Sequence, residues 1–167
     1  SYLALIAQKT GINFVKVPTH VWSQSVEKFN AHEADMYTCI TRTPQRDQIL
    51  NFTQPYITMP QVFITRNDVK FITDIKELYG KKVALVEGYA QSEIIQNEHP
   101  QIHALIVKDI VEAFKAVVEG DAYAYVELLP VASSYIQKNG FSNLKISGIS
   151  KYESNFHMAL RNDWESE

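Results

Sequence analysis

The chain has one cysteine, no long apolar run and no cluster of basic residues. With Cys39 alone an intrachain disulfide is excluded, and the redox compartment is left open. Cys39 as a nucleophile needs a histidine base and an oxyanion hole that no local pattern supplies, so a small buried thiol is the plainer expectation. Apolar stretches such as 83–86 and 104–107 are far below the roughly 20 residues of a bilayer-spanning helix. No signal peptide is visible at the start, which settles nothing about secretion. The 16 basic residues are scattered, with Lys81-Lys82 the densest pair, and the net charge is −3, which argues against a nucleic-acid partner. The turn Glu87-Gly88-Tyr89-Ala90-Gln91-Ser92 has one glycine and lacks the Lys-Ser/Thr ending of a phosphate loop, which argues against a nucleotide. Pro100 separates His99 from His103, and His20, His32 and His157 stand alone, so neither a metal nor a cofactor is expected. Asp121 and Glu127 have no evident catalytic partner, and no enzymatic activity is expected.

What is present is ordinary globular material: 167 residues, 46% apolar and 21% charged, enough for one domain or two small lobes. Apolar spacing predicts helices over 2–9, 22–31, 74–79, 90–98, 110–119 and 128–138, the last with Pro130 in its first turn. Alternation or buried-looking runs predict strands over 12–17, 36–40, 57–66, 82–86, 102–107, 122–126, 144–149 and 155–161. Strand and helix alternate, which points to an α/β fold with mainly parallel sheets, and two halves emerge with a break near Asn67-Asp68. A lobe of this type calls for a strand before the first helix, so an N-terminal strand is expected to be missing. In such sheets ligands sit beyond the carboxyl ends of strands, and each half has a turn at such an end, suggesting a site between them.

The first of these turns is Thr41-Arg42-Thr43-Pro44-Gln45-Arg46, closed by Asn51-Phe52-Thr53-Gln54-Pro55-Tyr56. It sets hydroxyls, free N–H groups and a guanidinium on a Pro-braced turn, which suits a small anion, because arginine offers a planar fork that matches a carboxylate at two points. The same residues also suit a plain surface loop whose arginine pairs with Asp47 or Glu33. Trp22 reads either as a core aromatic or as a flat wall for a ligand. The second turn, at Gly88, leaves backbone N–H groups free at a helix start.

Together these residues resemble the type 2 periplasmic solute-binding fold, the Venus-flytrap family that includes amino-acid receptors. Trp22, Glu33-Ala34-Asp35-Met36, Thr41 to Arg46 and Leu50-Asn51-Phe52-Thr53-Gln54-Pro55-Tyr56 carry the resemblance in the first half. In the second it rests on Gly80-Lys81-Lys82-Val83-Ala84-Leu85-Val86-Glu87-Gly88, His99-Pro100-Gln101-Ile102, Ala113 to Gly120 and Pro130-Val131-Ala132. The resemblance spans nearly the whole chain. It implies two lobes, one from 1–66 with 155–167 returning to it and one from 67–154, hinged near 66–68 and 148–154. It implies that Arg46 holds a ligand carboxylate with Thr41 assisting, that Trp22 is the stacking wall, and that Cys39 lines the floor through its backbone. Tyr89 and Ala90 would add backbone N–H groups on closure. Where amino-acid receptors place an aspartate for the ligand's ammonium, this chain has Leu128, and Glu127, one step earlier, is the candidate ligand contact, although neighbouring residues at a strand end point in different directions. The family's final helix, after Trp164, is expected to be absent or short.

The segment 35–46 and His99-Pro100 resemble the sensor branch, in which such domains stand outside the inner membrane and feed a histidine kinase or a diguanylate cyclase. The implied function is an extracytoplasmic sensor that binds a small carboxylate-bearing solute between two lobes and signals by closure. Its implied partners are the solute and membrane-anchored signalling modules of the parent chain. The rivals are a free binding protein serving an ABC permease and an enzyme built on the same fold.

Overall fold

The computed structural model describes residues 2–163. Its helices are α1 (Tyr2–Thr10), α2 (Trp22–Asn30), α3 (Ala90–Glu98), α4 (Ile110–Glu119) and α5 (Leu129–Asn139). Its strands are β1 (Met36–Thr41), β2 (Leu50–Phe52), β3 (Ile57–Arg66), β4 (Lys82–Val86), β5 (His103–Val107), β6 (Ala124–Leu128) and β7 (Leu144–Arg161). Short 3-10 turns occupy Arg46–Gln48 and Ile75–Leu78; Asp74 and Glu77 close the second with a reciprocal capping box, where the sequence predicts a longer helix.

One seven-stranded sheet runs through these residues in the order β1-β7-β3-β6-β4-β5, with β2 also on β7. The expectation of mainly parallel pairing is corrected: only β4–β5 and β4–β6 are parallel, and β1–β7, β2–β7, β3–β6 and β3–β7 are antiparallel. The cause is that the chain leaves the first half along β3 and returns beside it along β7, running the opposite way. The parallel rule holds where α3 and α4 make crossovers between β4, β5 and β6.

Strands expected over 144–149 and 155–161 are one continuous strand, β7. Its pairing with β3 slips between Pro60↔Glu153 and Val62↔Ile149, and again between Phe63↔Gly148 and Ile64↔Ile146. Gly148 is needed there, because a Cβ would lie 2.0 Å from the Ile72 carbonyl oxygen. The strand predicted over 12–17 does not form: these residues belong to no strand, and Val15 is 81% exposed. Alternation specifies a strand only when a neighbour supplies the ladder, and among the described residues β1 pairs with β7 alone, leaving its other edge open. The final helix expected to be absent or short after Trp164 falls outside the described residues.

Three clusters form the core. Val62, Ile64, Ala84, Val86, Phe114, Val117 and Tyr125 pack under α4 and α5 on one face of the sheet. Phe63, Ile72, Ile75, Leu78, Val83, Leu85, Ile95 and Val126 fill the other, as period-2 alternation requires. A separate small cluster, Phe29, Ile40, Leu50 and Ala159, joins α2 to β1, β2 and β7. His99, at the end of α3, is buried between the hydroxyls of Tyr79 (3.0 Å) and Tyr152 (2.8 Å), and Tyr152 donates to Glu98 Oε2 (2.6 Å). This histidine has a satisfied structural role tying α3 to β7.

Candidate ligand-binding site

Arg46 begins the 3-10 turn that follows β1 and Pro44. Its Nη1 donates to the Thr41 carbonyl (2.7 Å) and its Nη2 to the Gly88 carbonyl (2.8 Å), 42 residues away. The guanidinium carbon lies 5.2 Å from the centroid of the Trp22 ring. The two acids that the sequence offers it pair elsewhere: Asp47 binds Arg42 (2.6 Å) and Glu33 binds Lys28 (3.0 Å). Among the described residues no carboxylate forms an ion pair with Arg46. Burial pulls the guanidinium below its ordinary value, while the charge of Glu93 and the Tyr37 hydroxyl act the other way. It remains a cation. Glu93, in the first turn of α3, has a buried Oε2 with no hydrogen-bond partner among the described residues.

Arg46 opens onto a cavity of about 310 Å³. All seven residues singled out from the sequence line it: Trp22, Cys39, Thr41, Arg46, Tyr89, Ala90 and Glu127. Leu128, noted as the departure, lines it too. Sequence reasoning missed Ile40, Gln91, Ile110, Val131 and Phe156, and gave Gly88 no contact of its own. Phe156 was out of reach because it enters through the pairing Thr41↔Phe156 between β1 and β7, which no local pattern announces.

Gly88 is where the two turns meet. Its φ is +71°, in the left-handed region, and a Cβ there would sit 3.0 Å from Cδ1 and Nε1 of Trp22. The indole thus packs against this turn at Cδ1 and Nε1, Arg46 hydrogen-bonds the turn's carbonyl, and a side chain at 88 would disturb both. Trp22 also packs on Tyr37 (5.3 Å between centroids), which stacks on Phe29 (4.3 Å), so one face of the aromatic set belongs to the core and Trp22 reaches the cavity. Burial pushes the Tyr37 hydroxyl up to about 12, with Arg46 opposing.

Two details differ from expectation. Cys39 is exposed, not a buried thiol, because Thr38 and Cys39 sit at the uncovered sheet edge where β1 loses register with β7. The Tyr89 N–H, expected to point at the ligand, donates to the Val86 carbonyl (3.2 Å) in the turn. Tyr89 lines the cavity all the same, and its hydroxyl is raised by burial and by the charges of Glu127 and Asp109.

Glu127 is 2% exposed. Its Oε1 accepts from the Leu128 N–H (2.7 Å) and its Oε2 from the Tyr125 hydroxyl. Burial raises its carboxyl above the ordinary 4.5 despite these two donors. Leu128 is the N-cap residue of α5 and contributes no side-chain cap.

The profile of the bacterial extracellular solute-binding proteins, family 3, matches residues 1–161. The virulence sensor protein BvgS of Bordetella pertussis is 29% identical over 145 residues, which are 87% of this chain and 12% of that protein. The amino-acid-binding protein AabA of Dichelobacter nodosus is 35% identical over 107 residues, 60% of this chain and 42% of AabA. The crystal structure of the Bordetella pertussis BvgS periplasmic VFT2 domain superimposes with a TM-score of 0.85 at 26% identity, covering 98% of this chain and 70% of that one. The chain therefore spans a small fraction of BvgS and under half of AabA.

Proposed function

The chain belongs to the bacterial extracellular solute-binding proteins of family 3, and on that premise we propose that it is the extracytoplasmic ligand-sensing domain of a membrane-anchored signalling protein. It stands on the periplasmic side and holds a small carboxylate-bearing solute between two lobes, one from residues up to 66 and the return from 155, the other from 67–154. Likeness to BvgS in both sequence and structure supports the sensor assignment over solute delivery to a permease. Catalysis is not part of this reading. Glu127, the acid in the cavity wall, is engaged by Tyr125 and Leu128 instead of facing a second catalytic group.

One observation carries the proposal. Arg46 is desolvated and stacked on Trp22, its hydrogen bonds go to neutral carbonyls, and among the described residues it forms no ion pair, the charge of Glu93 acting on it from beyond ion-pair distance. Two N–H groups are used; the remaining three of the fork suffice for a carboxylate. Closure follows if the ligand contacts the turn at 88–91 better in the closed arrangement than in the open one. Replacing Arg46 with alanine is expected to weaken carboxylate binding by about 2–4 kcal/mol, read by titration calorimetry. Unchanged affinity in that variant would remove the anion cradle.

A further inference from the structure

Of the residues lining the cavity, only Arg46 and Glu127 are of charged type, and they do not present themselves equally. Arg46 reaches the cavity as a full cation with donors to spare. Glu127 turns both oxygens inward, one to its own strand's next N–H and one to Tyr125. At the end of β6 the wall is made instead by Leu128 and Val131, with Ile110, Phe156 and Trp22 completing the apolar lining. Thr41 and Gln91 offer acceptors, but neutral ones.

An ammonium group brought into this space leaves water, meets a like charge at Arg46 and finds no free carboxylate among the lining residues, since Glu93, whose charge acts on Arg46, is not one of them. A keto oxygen or a hydrogen in its place carries no such penalty. Resting on the reading of Arg46 as carboxylate anchor, we infer that this cavity selects monocarboxylates with an apolar body and no α-ammonium group, 2-oxo acids above all, and discriminates against the corresponding α-amino acids. Leu128 is the specificity-determining residue, because it places a hydrocarbon where the strand end could have supplied an acceptor. Burial, which holds the Glu127 carboxyl toward its neutral form, acts in the same direction.

The test compares matched pairs on the purified protein by calorimetry: 4-methyl-2-oxopentanoate against leucine, and phenylpyruvate against phenylalanine. The oxo acid is expected to bind tighter by about tenfold or more in each pair, as for one unpartnered charged group. Leu128→Asp is expected to reverse the preference. That variant has good reason to fold, since aspartate is a favoured N-cap and Leu128 caps α5 without a side-chain hydrogen bond. An amino acid that binds the wild type as tightly as its oxo acid would overturn the selectivity and leave the carboxylate anchor standing. Failure of both members of both pairs to bind at millimolar concentration would overturn the selectivity and the anchor together.

Discussion

Two ionisable side chains set the character of the cavity, and they are held in opposite ways. Arg46 is desolvated but kept charged, because its ordinary value is so high that burial cannot neutralise it. Glu127 is a carboxylic acid for which burial outweighs two hydrogen bonds. The consequence for stability has a definite sign. In the interval from the ordinary 4.5 up to its raised folded value, the native state binds more protons than the unfolded chain, so stability falls as pH rises through that interval. Relative to Glu127→Gln, the wild type should lose stability from about pH 4.5 upward and reach a constant difference once the folded group has ionised. Urea unfolding of both proteins between pH 4.5 and 8 reads this directly, and a flat difference would contradict it. Arg46, Thr41 and Trp22 were legible as residues because their chemistry is local to one turn and one helix start. The exposure of Cys39 was not, because it depends on whether a neighbouring strand covers the edge.

At the scale of elements, the turn between β4 and α3 does most to shape the site. It combines a left-handed Gly88, a carbonyl that accepts from Arg46, and a close approach to Trp22 that leaves no room for a side chain at 88. Gly88→Ala is expected to cost about 1–2 kcal/mol from the backbone conformation alone, before any displacement of the indole. The same variant should alter the tryptophan emission spectrum, since its Cβ would press on Trp22 at 3.0 Å. A variant with wild-type stability and emission would mean that this turn is not packed as described. The helices α3, α4 and α5 and strands β3 and β4 were readable from periodicity and from caps such as Pro130 and Gly120. The stretch 12–17 misled for a specific reason: its alternation is real, but no described strand takes up its hydrogen bonds.

For the molecule as a whole, the hydrogen bond from Arg46 to Gly88 links parts of the chain 42 residues apart across the cavity. Under the two-lobe reading it joins the two lobes. Ligand-free Arg46→Ala should therefore show a larger radius of gyration by small-angle scattering than the ligand-free wild type, and identical curves would argue that other contacts hold the arrangement. The antiparallel return of β7 beside β3 is what makes such a crossing possible, and β7 extends from the pairing with Arg66 to the pairing with β1 and β2.

By itself the sequence determined most of the helical segments, the buried run of β4, and that an arginine stands on a proline-braced turn after β1. These follow from local periodicity, capping and side-chain chemistry, which act over a few residues. Only the tertiary structure decided the strand directions, the continuity of β7, the approach of Gly88 and Phe156 to Arg46, and the inward engagement of Glu127. Each of those depends on which distant backbone supplies a hydrogen-bonding partner, and that information is not carried by any short stretch of chain.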